Sequence, residues 1–197
     1  GCYGPRISVP GVYFPGHANG LNPEEKTIAE VVKPQGYATM CIGKWHVGDQ
    51  PEFLPTNQGF DHYFGIPYSN DMQRTSLESG EKVVPLLRDD KVAELLTDEA
   101  QTRVTERYTE EAVKFIRDHQ GGPFLLYFPH TAVHTPIVPG AAFAGKSANG
   151  RFGDWVEEVD WSVGRVLDTL RETKLDQNTL VVFTSDNGPW LIKGSDG

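Results

Sequence analysis

Residues 38–49 read ATMCIGKWHVGD, and this stretch sets how the rest of the chain is read. Its first half is a short apolar run of the kind that forms a buried β-strand. Lys44 and His46 follow at once, with Gly43 and Gly48 on either side permitting close approach of the backbone to a ligand. A cation two residues from a group that transfers protons near neutral pH suits an anionic, tetrahedral ester. A single Lys-x-His pair is more often a solvated lysine beside a structural histidine, so the weight falls on how the other strands end.

Two further apolar runs, FLLYF at 124–128 and LVVF at 180–183, also have buried-strand character. Helical spacing of apolar residues predicts a short helix over 27–35, with Ile28, Val31 and Val32 on one face, Pro34 fraying the last turn and Gly36 stopping it. It predicts longer helices over 105–119, with Tyr108, Ala112, Phe115 and Ile116 inward, and over 154–173. The last carries a stripe of Val156, Val159, Val163, Val166, Leu167 and Leu170. Residues 1–26 are broken by Gly and Pro and should be irregular. Residues 49–90 lack periodicity but hold Phe53, Phe60, Tyr63, Phe64 and Tyr68, which reads as a packed, ordered loop region. Residues 129–153 read as loop. Strands alternating with helices predict an α/β fold, a mainly parallel sheet sandwiched by helices.

In such sheets ligands bind beyond the carboxyl ends of the strands. Directly after the three predicted strands come GKWH at 43–46, PHTAVH at 129–134 and SDNG at 185–188. His130 and His134 have a spacing that would suggest zinc on a helix, but Pro129 and Pro136 flank them and argue against a helix. On a loop, a histidine can instead protonate a departing alkoxide, and His134 is the preferred candidate. Asp186-Asn187-Gly188 could be a plain turn. It also offers a carboxylate and an amide carbonyl, oxygen donors of the type Ca²⁺ or Mg²⁺ prefers.

Composition narrows the classes. The chain has 197 residues, 38% hydrophobic and 23% charged, which suits a soluble globular domain or part of one. Its formal net charge is -9 and it has no Lys/Arg run, so nucleic acid is not an expected partner and an anionic substrate must be held by local cations or a metal. No stretch approaches the roughly 20 apolar residues of a membrane span. Of the two cysteines, Cys41 reads as a small buried hydrophobe, and a Cys2–Cys41 bridge stays open. The absence of an initiator Met and the ending among SDG lead us to expect an internal fragment.

Taken together these residues resemble the sulfatase family, the formylglycine-dependent sulfate ester hydrolases of the alkaline phosphatase superfamily. The resemblance runs along nearly the whole chain: Gly36-Tyr37-Ala38-Thr39 with Gly43-Lys44-Trp45-His46-Val47-Gly48, Gln58-Gly59-Phe60-Asp61, Pro123-Phe124-Leu125-Leu126-Tyr127 with His134-Thr135-Pro136, Val159-Asp160, and Thr184-Ser185-Asp186-Asn187-Gly188. In flavour it is similar to bacterial arylsulfatase-like members.

The resemblance implies an alkaline-phosphatase-like core, here a single partial N-terminal catalytic domain over residues 1–197. It implies that Asp186 and Asn187 give part of the shell of a divalent metal, usually Ca²⁺ with Mg²⁺ as the alternative. Lys44 would contact the nucleophile and a sulfate oxygen, His46 would assist the nucleophile's second hydroxyl, and His134 would bind the ester and protonate its leaving oxygen. The family nucleophile is a Cys or Ser converted to formylglycine in a C/S-x-P-S-R motif. Cys2-Tyr3-Gly4-Pro5-Arg6 imitates that motif, but Gly4 stands where it has Pro and Pro5 where it usually has Ser. We therefore expect the nucleophile and its Arg upstream of Gly1, the first metal-binding aspartates further upstream, and a second lysine beyond Gly197, so that these 197 residues alone would be inactive. The implied partners are sulfate ester small molecules or sulfated glycans, and the implied location is exported: periplasmic, extracellular or lysosomal. The aromatic-rich segment 51–72 is a suspect for substrate selection. Two alternatives stay open: a phosphonate monoester or phosphodiester hydrolase of the same superfamily, and a non-catalytic, Ca²⁺-dependent glycan-binding relative.

Overall fold

The computed structural model describes residues 3–7 and 9–188. Strand β1 (Ala38–Ile42) is its axis, with Thr39, Met40, Cys41 and Ile42 all buried. It pairs in parallel with β2 (His62–Gly65) on one side and with β6 (Phe124–Tyr127) on the other. Beyond β2 the sheet turns antiparallel, through β4 (Lys82–Arg88), which also carries β3 (Arg74–Thr75) and β5 (Lys91–Leu96). The sheet is thus mixed, a parallel core with an antiparallel wing.

That wing corrects one expectation. The sequence reads as ordered loop over residues 49–90, yet the segment contains β2, β3 and β4. Periodicity misses β2 because HYFG is four residues long, starts with an exposed His and ends in Gly. Its place is set by partners instead. Asp89, at the turn between β4 and β5, takes the Tyr63 N–H at 3.0 Å, and its own N–H returns to the Tyr63 carbonyl at 2.8 Å.

Alternation along β1 sorts two cores. Met40 and Ile42 join Phe64, Ile66, Val84 and Leu86 beneath α3 (Val104–Asp118), which follows the one-turn α2 (Asp98–Gln101) and presents Val104, Tyr108, Ala112 and Phe115. Cys41 and Tyr63 face the other way, against Ala29, Leu54 and Phe60. Ala29 belongs to α1 (Ile28–Val32), capped by Thr27: Thr27 Oγ1 accepts the Glu30 N–H, and the Glu30 carboxylate accepts the Thr27 N–H. Pro34 sits in the 3₁₀ turn that follows, and Gly36 closes it at φ 84°. The expected apolar face of this helix is corrected. Ile28 and Val31 are each 61% exposed, and the residue that packs inward is Ala29.

Helix α4 (Gly150–Glu172) lies against α3, and its inward face also departs from the predicted stripe. Val156 is exposed, and Val159, Val163 and Leu167 are only half-buried. Of the predicted stripe Leu170 is buried and Val166 packs on the core, while the other buried side chains of this face include Trp155, Glu158, Ser162 and Thr169. Trp155 Nε1 donates to Thr105 Oγ1 at 3.1 Å, and Thr109 and Ser162 share a hydroxyl bond at 2.5 Å. Polar residues that satisfy one another across two helices can be buried, and hydropathy alone assigns them outside.

The predicted strand at 180–183 is overturned. Those residues form no ladder, and Leu180, Val182 and Phe183 are 89%, 75% and 75% exposed. A run apolar on both faces becomes a strand only where neighbours pair its backbone and cover both faces, and among the described residues β6 pairs with β1 alone. Cys41 is fully buried, whereas Cys2 lies outside the described residues, as do residues 189–197. Among the described residues no helix is long and apolar enough to cross a membrane.

Candidate functional site

The loop leaving β1 is stitched to both neighbouring strand ends. Gly43 N–H donates to the Phe64 carbonyl (2.9 Å), Lys44 to Pro129 (2.8 Å), Trp45 to Ile66 (3.1 Å) and His46 to Pro67 (3.0 Å). Gly43 is required there: at φ 126° a Cβ would stand 1.8 Å from the Pro129 carbonyl oxygen. Trp45 anchors the loop by donating Nε1 to the Phe53 carbonyl at 2.7 Å and by meeting Phe60 edge-on. This leaves Lys44 and His46 flanking a side chain locked into the core.

Burial pulls the Lys44 ammonium below its ordinary pKa, against the opposing pull of the Asp186 and Asp71 carboxylates. His46 is also held below the usual histidine range, first by burial and then by the positive charge of Lys44. Its Nε2 lies 3.0 Å from the Tyr13 carbonyl, an oxygen that can only accept, so the proton sits on Nε2 and Nδ1 keeps its lone pair. The left-handed backbone of His46, φ 59°, is held by the bond to Pro67.

The third group arrives from the loop after β6. Thr131 is buried beside the Tyr108 hydroxyl (3.3 Å), and Gly140 N–H donates to Glu158 Oε2 (2.7 Å), which pins this loop to α3 and α4. Between these anchors His134 places Nδ1 2.7 Å from the Thr135 carbonyl and 3.3 Å from Ser69 Oγ. The carbonyl fixes the proton on Nδ1, so proton exchange falls to Nε2. Residues 130–134 are not helical, and among the described residues no group of three His, Cys, Asp or Glu could hold a metal. His130 is turned inward, its ring against Phe128 and Nε2 3.5 Å from Ser162 Oγ, with Nδ1 buried without a hydrogen-bond partner among the described residues.

The three predicted segments therefore converge. The charges of Lys44 and His134 both act on His46, and the charge of the Asp186 carboxylate acts on Lys44 and Tyr127. Asp186 and Asn187 sit together on an exposed bend, Asn187 donating its N–H to Asp186 Oδ1 at 2.8 Å and its Nδ2 to Oδ2 at 3.2 Å. Their donor chemistry, carboxylate plus amide oxygen, fits a hard divalent cation, while two ligands fall short of the six to eight oxygens such an ion takes.

Sequence reasoning missed Ser69 and Asp71. Asp71 Oδ1 lies 4.0 Å from His134 Nδ1. Both follow β2, so reading HYFG as a strand would have brought PYSND at 67–71 under the same strand-end rule.

The chain matches the sulfatase family model over residues 6–196. N-acetylgalactosamine-6-sulfatase of Sus scrofa is 36% identical over 198 residues, covering 90% of this chain and 36% of that protein. Arylsulfatase A of Bos taurus is 37% identical over 210 residues, covering 95% of this chain and 40% of that protein. The chain thus spans well under half the length of these relatives. A Bacteroides thetaiotaomicron structure from work on glycosaminoglycan metabolism superposes with a TM-score of 0.76 at 26% identity, over 95% of this chain and 50% of that one. The PsFucS1 sulfatase from Pseudoalteromonas sp. gives 0.67 at 27% identity, over 81% and 37%. Sequence and shape agree along almost the entire length, and the chain belongs to the sulfatase family.

Proposed function

We propose that the protein hydrolyses sulfuric esters and that residues 1–197 are part of its N-terminal catalytic domain. The observation that supports this most is the meeting of Lys44, His46 and His134 beyond the ends of β1 and β6, with Asp186 acting on Lys44. Family membership supports sulfate over the phosphonate, phosphodiester and non-catalytic alternatives, for which no observation speaks.

The roles follow from the tautomers and the burial. The Lys44 ammonium, partly stripped of water, is a strong partner for a sulfate oxygen and for the negative charge that grows as the ester bond breaks. His46 is neutral at neutral pH and presents Nδ1 as an acceptor, so it can take a proton from a hydroxyl of the nucleophile. His134, with Nδ1–H held on the Thr135 carbonyl, delivers its Nε2 proton to the leaving oxygen when it enters the step as the imidazolium, and is left as the neutral Nδ1–H ring. Asp186 and Asn187 would hold a divalent metal, assigned as Ca²⁺, together with ligands from elsewhere in the full protein. When bound, that ion supplies Lewis-acid polarisation of the sulfate. The nucleophile is taken to be the formylglycine of the family, upstream of these residues. The substrate is a small sulfate ester or a sulfated glycan, as the names of the relatives suggest, and the protein is taken to be exported.

The test uses the full-length protein and 4-nitrophenyl sulfate. Lys44→Ala and His134→Ala should each lower kcat/KM by about 10²- to 10⁴-fold with an unchanged melting temperature. Near-normal rates in both would remove them from the mechanism. A wild-type protein that released no sulfate from any ester, or that preferred phosphonate esters, would overturn the proposal.

A further inference from the structure

Tyr108 of α3 is fully buried, and none of the roles above uses it. Its ring meets Phe64 edge-on at 6.0 Å, a contact that a phenylalanine would also make. Its hydroxyl does more. It accepts the Ile66 N–H at 3.2 Å, just past the end of β2. Its own hydrogen then needs an acceptor, because a buried O–H without one is costly, and Thr131 Oγ1 stands 3.3 Å away. Burial pushes the phenol above its ordinary pKa, so it stays a neutral O–H donor near neutral pH.

Two loops that carry site residues are thereby tied to one oxygen. From Ile66 the chain runs three residues to Ser69, whose Oγ lies 3.3 Å from His134 Nδ1. From Thr131 it runs three residues to His134, whose N–H donates to the Thr131 carbonyl at 3.3 Å. Tyr108, Ile66, Ser69, His134 and Thr131 thus close a ring, with the histidine opposite the phenol. The loop of Lys44 is held by bonds to Pro129, Pro67 and Phe53 that do not pass through this hydroxyl. Resting on the sulfate ester reading above, we propose that Tyr108 is a positioning residue: its hydroxyl locks the loops after β2 and β6 so that His134 faces the leaving oxygen of the ester.

The experiment compares the full-length wild type, Tyr108→Phe, Thr131→Val and Thr131→Ser on 4-nitrophenyl sulfate and phenyl sulfate. Phenolate is the poorer leaving group and depends more on the proton that His134 delivers, so a displaced histidine shows most on phenyl sulfate. Tyr108→Phe and Thr131→Val should each lower kcat/KM on phenyl sulfate by roughly 10- to 100-fold, with a loss about fivefold smaller on 4-nitrophenyl sulfate. Thr131→Ser keeps an acceptor for the phenol and should stay within about twofold of wild type on both. A thermal melt reads folding separately, and the Thr131 variants carry the test if Tyr108→Phe does not fold. Equal losses on the two esters would mean that the hydroxyl serves stability alone and would overturn the proposal. So would wild-type rates in Tyr108→Phe, or a Thr131→Ser as impaired as Thr131→Val. Nitrogen NMR of the His134 ring needs no substrate: its signals should shift between wild type and Tyr108→Phe, and identical signals would also overturn the proposal. A wild type that releases sulfate from no ester would instead sink the proposed function itself.

Discussion

Protonation of His130 should weaken the fold as the pH falls. Burial pulls this histidine from an ordinary value of 6.5 to about 4. The structure shows why: the ring lies on Phe128, Nε2 has a long 3.5 Å contact to Ser162, and Nδ1 is buried without a partner among the described residues, so a second proton has nowhere to go. The folded-state value is the lower one, so between about pH 6.5 and 4 the unfolded chain binds more protons than the folded chain. Stability is therefore lost as the pH drops through that window and is level on either side of it. Between pH 7 and pH 5 the loss from this residue comes to about 2 kcal/mol, approaching about 3 kcal/mol below pH 4. Urea unfolding of the full-length protein and of His130→Gln at both pH values isolates it, because carboxylate contributions are common to the two. Wild type should lose about 2 kcal/mol more than the variant on going from pH 7 to pH 5. Parallel losses, or a His130 ring that titrates near 6.5 by NMR, would refute the reasoning.

Gly43→Ala puts a Cβ 1.8 Å from the Pro129 carbonyl at a backbone angle that L-residues avoid, and the displacement would break the Lys44–Pro129 bond. Together these should cost about 2–4 kcal/mol, read from the denaturant midpoint, with aryl sulfate turnover falling alongside; a cost near zero would show that the loop is not held as described. Asp186→Ala should lower the metal content of the full-length protein by more than half in elemental analysis, and an unchanged content would remove it as a ligand.

Much of the candidate site could be read in the chain because each piece is local. An apolar run followed at once by GKWH carries both the strand signal and the chemistry in a dozen residues, and SDNG carries its oxygen donors in four without any strand before it. Ser69 and Asp71 escaped because their strand is recognisable only by its partners, β1 and the turn holding Asp89. The polar inner face of α4 escaped for a related reason: Glu158 and Ser162 are acceptable inside only where Gly140 and Thr109 meet them.

The order of residues alone determined the buried strand at 38–42, the helix beginning at Thr27, the helices around 105–119 and 154–173, the glycine at 43 and the choice of Lys44, His46, His134, Asp186 and Asn187 as candidates, since propensity, spacing and residue chemistry act over a few positions. Which histidine nitrogen holds its proton, which loops share the Tyr108 hydroxyl, and whether 180–183 pairs at all depend on atoms brought from distant segments. Hydrogen bonds and desolvation are set by neighbours in space, and those neighbours exist only once the chain has folded.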